Sequence, residues 1–312
     1  MEDNPPMGIA NYIKEIGRGR EGARSLSREQ AADLFGQLLD GSVTDLETGA
    51  FCLAMRIKGE TPDEMAGFLD ATQARLSPIA QSSDGQPVIV IPSYNGARKL
   101  PALTPLLALL LAREGLPVLI HGTATESIRV YTSSVLLSLG ICAQSAPISI
   151  ANGNVQFVST GVLCLGLERL LEVRRVVGLR NSAHSVVKLM NPISQGAGKC
   201  LIVSSYTHPE YAESMSATFA LMQSNAMLLR GTEGESVADA RRLPQMEGFI
   251  AGRKSLLQAA QSGTLASLPD LPKTTDSEAT AAYTRAVMDG TKTVPESIAK
   301  QVEHILRLVK AL

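Results

Sequence analysis

The sequence contains no tryptophan, few other aromatic residues and only four cysteines. Aromatic residues make up 4% of the 312-residue chain, so we expect a largely aliphatic core. Cys52, Cys142, Cys164 and Cys200 are far apart and form no CxxC pair. This spacing argues against a disulfide framework and a zinc site, and it favours a reducing compartment. We expect these cysteines to be core residues.

Long apolar segments are also missing. The longest apolar run, Leu106–Ala112, is too short to cross a bilayer. The N-terminal sequence lacks the basic and apolar regions of a secretory signal. The expectation is therefore a cytoplasmic protein without a membrane partner.

The net charge of −1 conceals an uneven distribution of charge along the chain. Residues 1–85 contain 8 basic and 14 acidic residues, whereas residues 86–200 contain 10 basic and 4 acidic ones. Within the acidic first segment, five basic residues between 14 and 28 face only Glu15 and Glu21. Such clustering predicts a positive surface unless folding disperses the charges, and the sequence leaves both possibilities open.

The sequence pattern divides the chain into two parts. Residues 1–80 have helical spacing, and Thr61, Pro62 and Glu64 form a typical helix start. From residue 87 onwards, short β-branched runs alternate with helices, which predicts an α/β domain over 81–312 with a mostly parallel sheet. The predicted strands are Val88–Ile91, Pro117–Ile120, Val155–Val158, Leu201–Ser204 and Ala226–Leu229. Residues 262–280 are predicted to form a polar linker, and a helical tail follows from Pro295.

The loop after the first predicted strand is a candidate ligand site. Ligands of open α/β sheets bind beyond the carboxyl ends of the strands. This loop, residues 92–99, has a single glycine, Gly96, and ends in Arg98 and Lys99. It therefore looks poorly suited to one small phosphate and better suited to a polyanion.

Several motifs resemble the anthranilate phosphoribosyltransferase family. They are Ala50-Phe-Cys-Leu-Ala-Met-Arg-Ile-Lys-Gly-Glu-Thr-Pro-Asp-Glu64, His121-Gly122 followed by Leu139-Gly140, and Val173-Arg-Arg-Val-Val-Gly-Leu-Arg-Asn181 followed by Met190-Asn-Pro192. The resemblance implies a small helical domain, residues 1–80 completed by about 170–192, and a larger α/β domain. It also implies a homodimer joined through the helical domains.

The same resemblance implies that the transferase chemistry is lost. The family's glycine-rich pyrophosphate loop, Gly-Thr-Gly-Gly-Asp, aligns with Pro92-Ser-Tyr-Asn-Gly96, in which Pro92 has no N–H and Tyr94 is bulky. The family's magnesium-binding Asp-Glu pair aligns with Ser236-Val237, and we expect the nearby Glu233 and Glu235 to be solvated loop residues. We therefore expect no catalytic residue, no metal site and no cofactor. The remaining relic of the ligand pocket would be Ser93, Asn95, Gly96, Thr104, His121 and Gly122.

The substitutions favour positive charge. Between 169 and 200 the only acidic residue is Glu172, against six Lys and Arg residues. This pattern, with Lys14–Arg20 and Arg180–His184, resembles the YbiB-type branch of the family, which implies binding of DNA and RNA with little sequence preference and without transferase activity. The implied interface consists of Lys14, Arg18, Arg20, Arg24, Arg98, Lys99, Arg169, Arg174, Arg175, Arg180 and Lys188.

Two other functions stay open. One is a phosphoribosyltransferase with a rearranged phosphate site around Ser93, Asn95, Lys99 and Thr104, which would need magnesium. The other is a regulatory protein that binds a metabolite without turnover.

Overall fold

A computed structural model describes residues 8–80, 85–126, 128–194 and 199–312, without the side chain of Arg20. The helices are α1 (Ala10–Ile16), α2 (Gly19–Gly22), α3 (Arg28–Asp40), α4 (Asp45–Lys58), α5 (Pro62–Gln73), α6 (Thr104–Arg113), α7 (Thr132–Ser138), α8 (Thr160–Leu163), α9 (Leu165–Val177), α10 (Ala183–Leu189), α11 (Pro209–Leu221), α12 (Ser277–Met288) and α13 (Glu296–Val309). The strands are β1 (Val88–Pro92), β2 (Val118–Gly122), β3 (Ala143–Gln144), β4 (Val155–Ser159), β5 (Cys200–Tyr206), β6 (Ala226–Arg230), β7 (Met246–Ile250) and β8 (Arg253–Gln258). No helix within these ranges is both long and apolar enough to cross a membrane.

The chain forms two compact units. The helical unit contains the chain up to Leu76 together with Cys164–Met190, and the α/β unit contains Ser77–Leu163 and Asn191–Leu312. The helical unit is therefore built from two separate segments of the sequence.

The core of the helical unit is largely aliphatic, as expected, and it contains three phenylalanine rings. Phe35, Phe51 and Phe68 are fully buried, and the rings of Phe35 and Phe68 stack with centroids 4.6 Å apart. Helices α3 and α5 pack closely because α5 carries Gly67 at the contact. A Cβ atom there would lie 2.2 Å from the carbonyl oxygen of Arg28. Three of the six phenylalanines of the sequence thus lie where α3, α4 and α5 meet.

The predicted start of α5 is confirmed, and its glutamate does more than cap the helix. Thr61 and Glu64 form a capping box, with Pro62 in the first turn. The Glu64 carboxylate is fully buried and also accepts hydrogen bonds from the Leu26 main-chain N–H (2.9 Å) and from Lys58 Nζ (2.6 Å). One oxygen of this buried carboxylate accepts from the Leu26 N–H and the other from Lys58 and the Thr61 N–H, which ties the loop before α3 to α4 and α5.

The α/β unit confirms the predicted fold class. Its strands form one sheet in the order β3-β4-β2-β1-β5-β6-β7-β8, parallel from β3 to β6 and antiparallel at β7 and β8. All five predicted strands are present, and β1 and β2 are buried along their whole length. Central β1 lies between β2 and β5, so the loop that follows it emerges at the middle of the carboxyl edge of the parallel strands.

Other local predictions need correction. Cys142 is exposed, whereas the other three cysteines are buried. Helix α12 begins at Ser277, inside the predicted linker, because Asp276 accepts a hydrogen bond from the N–H of Ala279 and caps the helix.

Candidate functional site

The loop after β1 lies directly beside the end of β2. The Ser93 N–H donates to the carbonyl oxygen of His121 (2.8 Å). A Cβ atom on Gly122 would lie 2.0 Å from the carbonyl oxygen of Ser93. Gly122 is therefore required for this close approach of the two strand ends, and it holds the loop in place.

The Tyr94 side chain is buried against the end of β2 and the start of α8. Its hydroxyl is 2.8 Å from His121 Nδ1 and 2.9 Å from Thr160 Oγ1, and the side chain is 3% exposed. Burial lowers the pKa of His121 to about 3, so this imidazole is neutral at physiological pH. Tyr94, His121 and Thr160 thus form a buried hydrogen-bonded group. The expectation that the bulk of Tyr94 obstructs the loop is wrong.

Glu235 lies inside the loop that follows β1. One carboxylate oxygen accepts from the main-chain N–H groups of Asn95 (2.7 Å) and Gly96 (2.8 Å). The other accepts from the Ser93 hydroxyl and, at 3.4 Å, from the Thr104 hydroxyl. Glu235 is 2% exposed. Four of the six residues named as a relic pocket therefore do come together, around a carboxylate of the chain itself.

Glu233 occupies the next part of the same loop. Its carboxylate accepts from the main-chain N–H groups of Arg98 (2.8 Å), Lys99 (3.1 Å) and Leu100 (3.3 Å). Burial alone raises the pKa of this carboxyl, but the three N–H donors outweigh burial and the net pKa is lowered. With Asn95 and Gly96, these donors form what we call the N–H nest. Both carboxylates in it come from the segment between β6 and β7.

The expectation that Glu233 and Glu235 are solvated is therefore wrong, and so is the inference that the loop lacks an anion cradle. Pro92 has no N–H to donate, but the N–H groups of Asn95 and Gly96 still converge on one carboxylate oxygen. Buried N–H groups need an acceptor, and the carboxylates of Glu233 and Glu235 provide it. The sequence signal was Gly231-Thr-Glu-Gly-Glu235, a short turn with two acidic residues flanking a glycine.

Magnesium and phosphoribosyl pyrophosphate, the groups that the family's chemistry requires, fit poorly into the loop after β1. Both nearby carboxylates already accept main-chain N–H groups, so their lone pairs are not presented to a metal ion. Within the described ranges, no group of three His, Cys, Asp or Glu side chains is placed to hold a metal. The N–H donors that would cradle pyrophosphate are engaged by Glu233 and Glu235. The loop therefore does not suit these ligands.

Basic side chains gather at the hairpin of α9 and α10 in the helical unit. Arg174 lies in the last turn of α9, Arg180 follows that helix, and Lys188 lies in the last turn of α10. Between them His184 is buried, and burial lowers its pKa to about 3, with further lowering by the charges of Arg180, Arg174 and Lys188. Three cations thus act on one small region. We call Arg174, Arg175, Arg180 and Lys188 the α9–α10 cluster.

Two neighbouring arginines have local partners. Arg175 pairs with Glu172 at 2.6 Å, and both side chains remain substantially exposed. Arg169 donates to the carbonyl oxygen of Leu39 (2.9 Å) at the end of α3. Arg169 therefore stabilises a helix C-terminus, which favours positive charge.

The N-terminal basic residues lie around one acid. Arg18 pairs with Glu15 at 2.8 Å, and Arg24 lies 3.6 Å from the same carboxylate. Lys14 is exposed in the last turn of α1. The side chain of Arg20 lies outside the described part of the structure. Helices α1 and α2 pack on α4, whereas α9 packs on α3 and α10 packs on α5.

Arg98 and Lys99 belong to the α/β unit. Both side chains are exposed, while their main-chain N–H groups bind Glu233. A single surface that includes these residues and the basic residues of the helical unit stays a prediction.

The architecture defines a class of proteins: a helical bundle combined with the parallel-sheet domain of a glycosyl transferase. A model of the glycosyl transferase family helical bundle domain matches residues 10–75. Anthranilate phosphoribosyltransferase from Thermus thermophilus superimposes with a TM-score of 0.69 at 20% identity, over 93% of this chain and 85% of that one. The Saccharomyces cerevisiae enzyme in complex with PRPP and Mg gives a TM-score of 0.67 at 13% identity, over 97% and 89%.

Sequence comparison identifies the family. The uncharacterized protein YbiB of Escherichia coli (strain K12) is 38% identical over 304 residues, 95% of this chain and 92% of that protein. An anthranilate phosphoribosyltransferase of Methylorubrum extorquens (strain PA1) is 29% identical over 283 residues, 88% of this chain and 82% of the enzyme. The chain belongs to the anthranilate phosphoribosyltransferase-like family.

Proposed function

We propose that this protein binds DNA and RNA without transferase activity and with little sequence preference, through the basic surface of its helical unit. The observation that carries the proposal is the α9–α10 cluster, in which Arg174 at the end of α9, Arg180 just after it and Lys188 at the end of α10 lie on one helical hairpin. Glu172 of α9 pairs with Arg175, which belongs to the same cluster. A patch of this composition attracts the phosphate backbone of a nucleic acid.

The two tyrosines that adjoin basic stretches of the sequence, Tyr12 and Tyr94, support backbone contacts rather than base stacking. Tyr94 is buried against His121 and Thr160, so its ring is unavailable to a base. The Tyr12 hydroxyl donates to Asp33 (2.7 Å), and this bond is the main reason that its pKa is raised to about 12. Contacts made by Arg and Lys to phosphates position a protein on nucleic acid but carry little sequence information.

Removing one cation from the cluster tests the proposal. Arg174→Gln and Arg180→Gln should each weaken binding of a mixed-sequence duplex about 15-fold at 50 mM salt, because one phosphate contact and its released counterion are lost. Fluorescence anisotropy with labelled single- and double-stranded oligonucleotides measures the change. Thermal melting of each variant verifies that it folds.

The matched controls are Arg253→Gln and Lys273→Gln, which neutralise exposed cations of the α/β unit. They should leave the affinity within about twofold. Absence of binding by the unaltered protein at low salt would contradict the proposal, as would equal losses in the controls and the cluster variants.

The proposal includes a homodimer formed through the helical unit. Support comes from an apolar stripe on one face of α4, residues Leu46, Ala50, Leu53 and Ile57. Leu46 is 84%, Leu53 48% and Ile57 53% exposed. Contiguous exposed apolar residues at helical spacing are typical of a protein interface. A dimer would also double the number of basic clusters available to one nucleic acid.

Charged substitutions on the stripe test the dimer. Leu46→Asp with Ile57→Asp should convert the protein to a monomer, because two carboxylates would be buried in the interface without partners. Light scattering after size-exclusion chromatography measures the mass. The control Leu268→Asp alters an exposed leucine of the α/β unit and should leave a dimer. A monomeric unaltered protein would overturn this part of the proposal.

A further inference from the structure

The segment between β6 and β7 is fitted closely against the loop after β1. Gly234 has a φ of +91°, and a Cβ atom there would lie 1.6 Å from Asn95 Nδ2. The Asn95 side chain donates to the carbonyl oxygen of Glu233 (3.1 Å), and the Ser205 hydroxyl donates to that of Gly234 (2.9 Å). The segment is thus fixed at both of its faces.

The far end of the segment is fixed as well. Buried Gln301 on α13 accepts from the N–H of Ala238 (2.8 Å) and donates to the carbonyl oxygen of Ser236 (3.0 Å). The Ser236 hydroxyl donates to the carbonyl oxygen of Pro92 (3.2 Å). The carboxylate of Glu235 therefore enters the loop from a rigidly held backbone.

We infer that Glu235, assisted by Glu233, is a built-in substitute for the phosphate groups of a ligand. The groups around Glu235 are all donors: two main-chain N–H groups and two hydroxyls. Such a set is complementary to an anion, and a carboxylate meets it with two oxygens. The unaltered protein is consequently closed to phosphate-bearing small molecules at this loop.

Two physical effects keep an external phosphate out. Glu235 is part of the same chain, so its effective concentration at the N–H nest far exceeds that of a free ligand. A phosphate that entered beside it would also meet a buried negative charge at close range, where the protein interior screens poorly. Displacement would in addition leave the Glu235 carboxylate buried without its donors, which is costly.

Removing the carboxylate should reopen the site to a small anion. Glu235→Ala leaves a cavity lined by four vacated donors, and inorganic phosphate supplies the missing acceptor oxygens. In thermal melting, 20 mM phosphate should raise the melting temperature of this variant by about 3 °C over sodium chloride of equal ionic strength, as expected for millimolar binding to the folded state alone.

The controls separate this effect from general stabilisation by salts. The unaltered protein and Gln301→Ala should show no difference between phosphate and chloride. Gln301→Ala weakens the same segment but leaves the donors around Glu235 occupied. Glu233→Ala is a second test variant, because it vacates the N–H groups of Arg98, Lys99 and Leu100 at a half-exposed position and demands less of the fold.

The inference fails if neither Glu235→Ala nor Glu233→Ala distinguishes phosphate from chloride. Should Glu235→Ala not fold, the result with Glu233→Ala decides. The inference also fails if calorimetry shows micromolar, magnesium-dependent binding of phosphoribosyl pyrophosphate by the unaltered protein. That outcome would instead support a transferase with a rearranged phosphate site.

Discussion

Raising the salt concentration from 50 to 200 mM should weaken the binding of duplex DNA about 40-fold for each engaged subunit. Arg174, Arg180 and Lys188 would displace three condensed counterions, since Arg175 is paired with Glu172, which gives a slope of about −2.7 for log affinity against log salt. Single-stranded DNA should give a shallower slope, about −2.1, because fewer counterions are condensed on it. Anisotropy titrations at four or more salt concentrations measure both slopes.

The variants sharpen this expectation. Arg180→Gln should reduce the magnitude of the duplex slope by about 0.9, whereas Lys273→Gln should leave it unchanged. A slope near zero would contradict a phosphate-based interface. A slope that is steep but unaffected by cluster variants would place the interface elsewhere on the molecule.

Glu64→Gln should destabilise the protein by about 3–5 kcal/mol, the usual loss when one member of a buried ion pair is removed. The substitution keeps the size of the side chain but replaces one acceptor oxygen with an amide NH₂ group, which is itself a donor. Lys58 Nζ, 2.6 Å from the carboxylate, and the N–H groups of Leu26 and Thr61, both at 2.9 Å, then compete for one acceptor oxygen. Urea unfolding followed by circular dichroism measures the loss.

Glu47→Gln provides a matched control. Glu47 holds the same capping-box position in α4, but it lies near the surface. Glutamine is compatible with that position, as Gln30 in the capping box of α3 demonstrates. The control should therefore lose less than about 1 kcal/mol. A similar loss for both variants would mean that capping, and not the buried pair with Lys58, gives Glu64 its importance.

The fold could be predicted from the sequence to the extent that its signals are local. Runs such as Val88–Ile91 have the composition of buried parallel strands, and Thr61-Pro62 marks a helix start through contacts within one turn. The sequence does not predict the edge strand β8, because its residues 253–256 are exposed and are mostly polar. Its pairing with β7 depends on the sheet that it joins and not on its own periodicity.

The candidate site was predicted less well because its decisive contacts are remote in sequence. Ser93, Asn95, Gly96 and Thr104 were recognised as a group, but their common partner Glu235 lies more than 130 residues further along the chain. A carboxylate that is buried and bonded to main-chain N–H groups is indistinguishable in sequence from a solvated one. The basic cluster was easier to predict, since Arg174, Arg180 and Lys188 lie within one short stretch.

The split construction of the helical unit has a consequence for synthesis of the protein. Helices α1–α5 leave the ribosome first, but α9 and α10, which pack on α3 and α5, follow only after the strands β1–β4. The side of α3 that contacts α9 consequently stays uncovered while much of the sheet is being made. Closing so long a loop slows folding. The α9–α10 cluster is thus assembled late, in a chain whose sheet has begun to form.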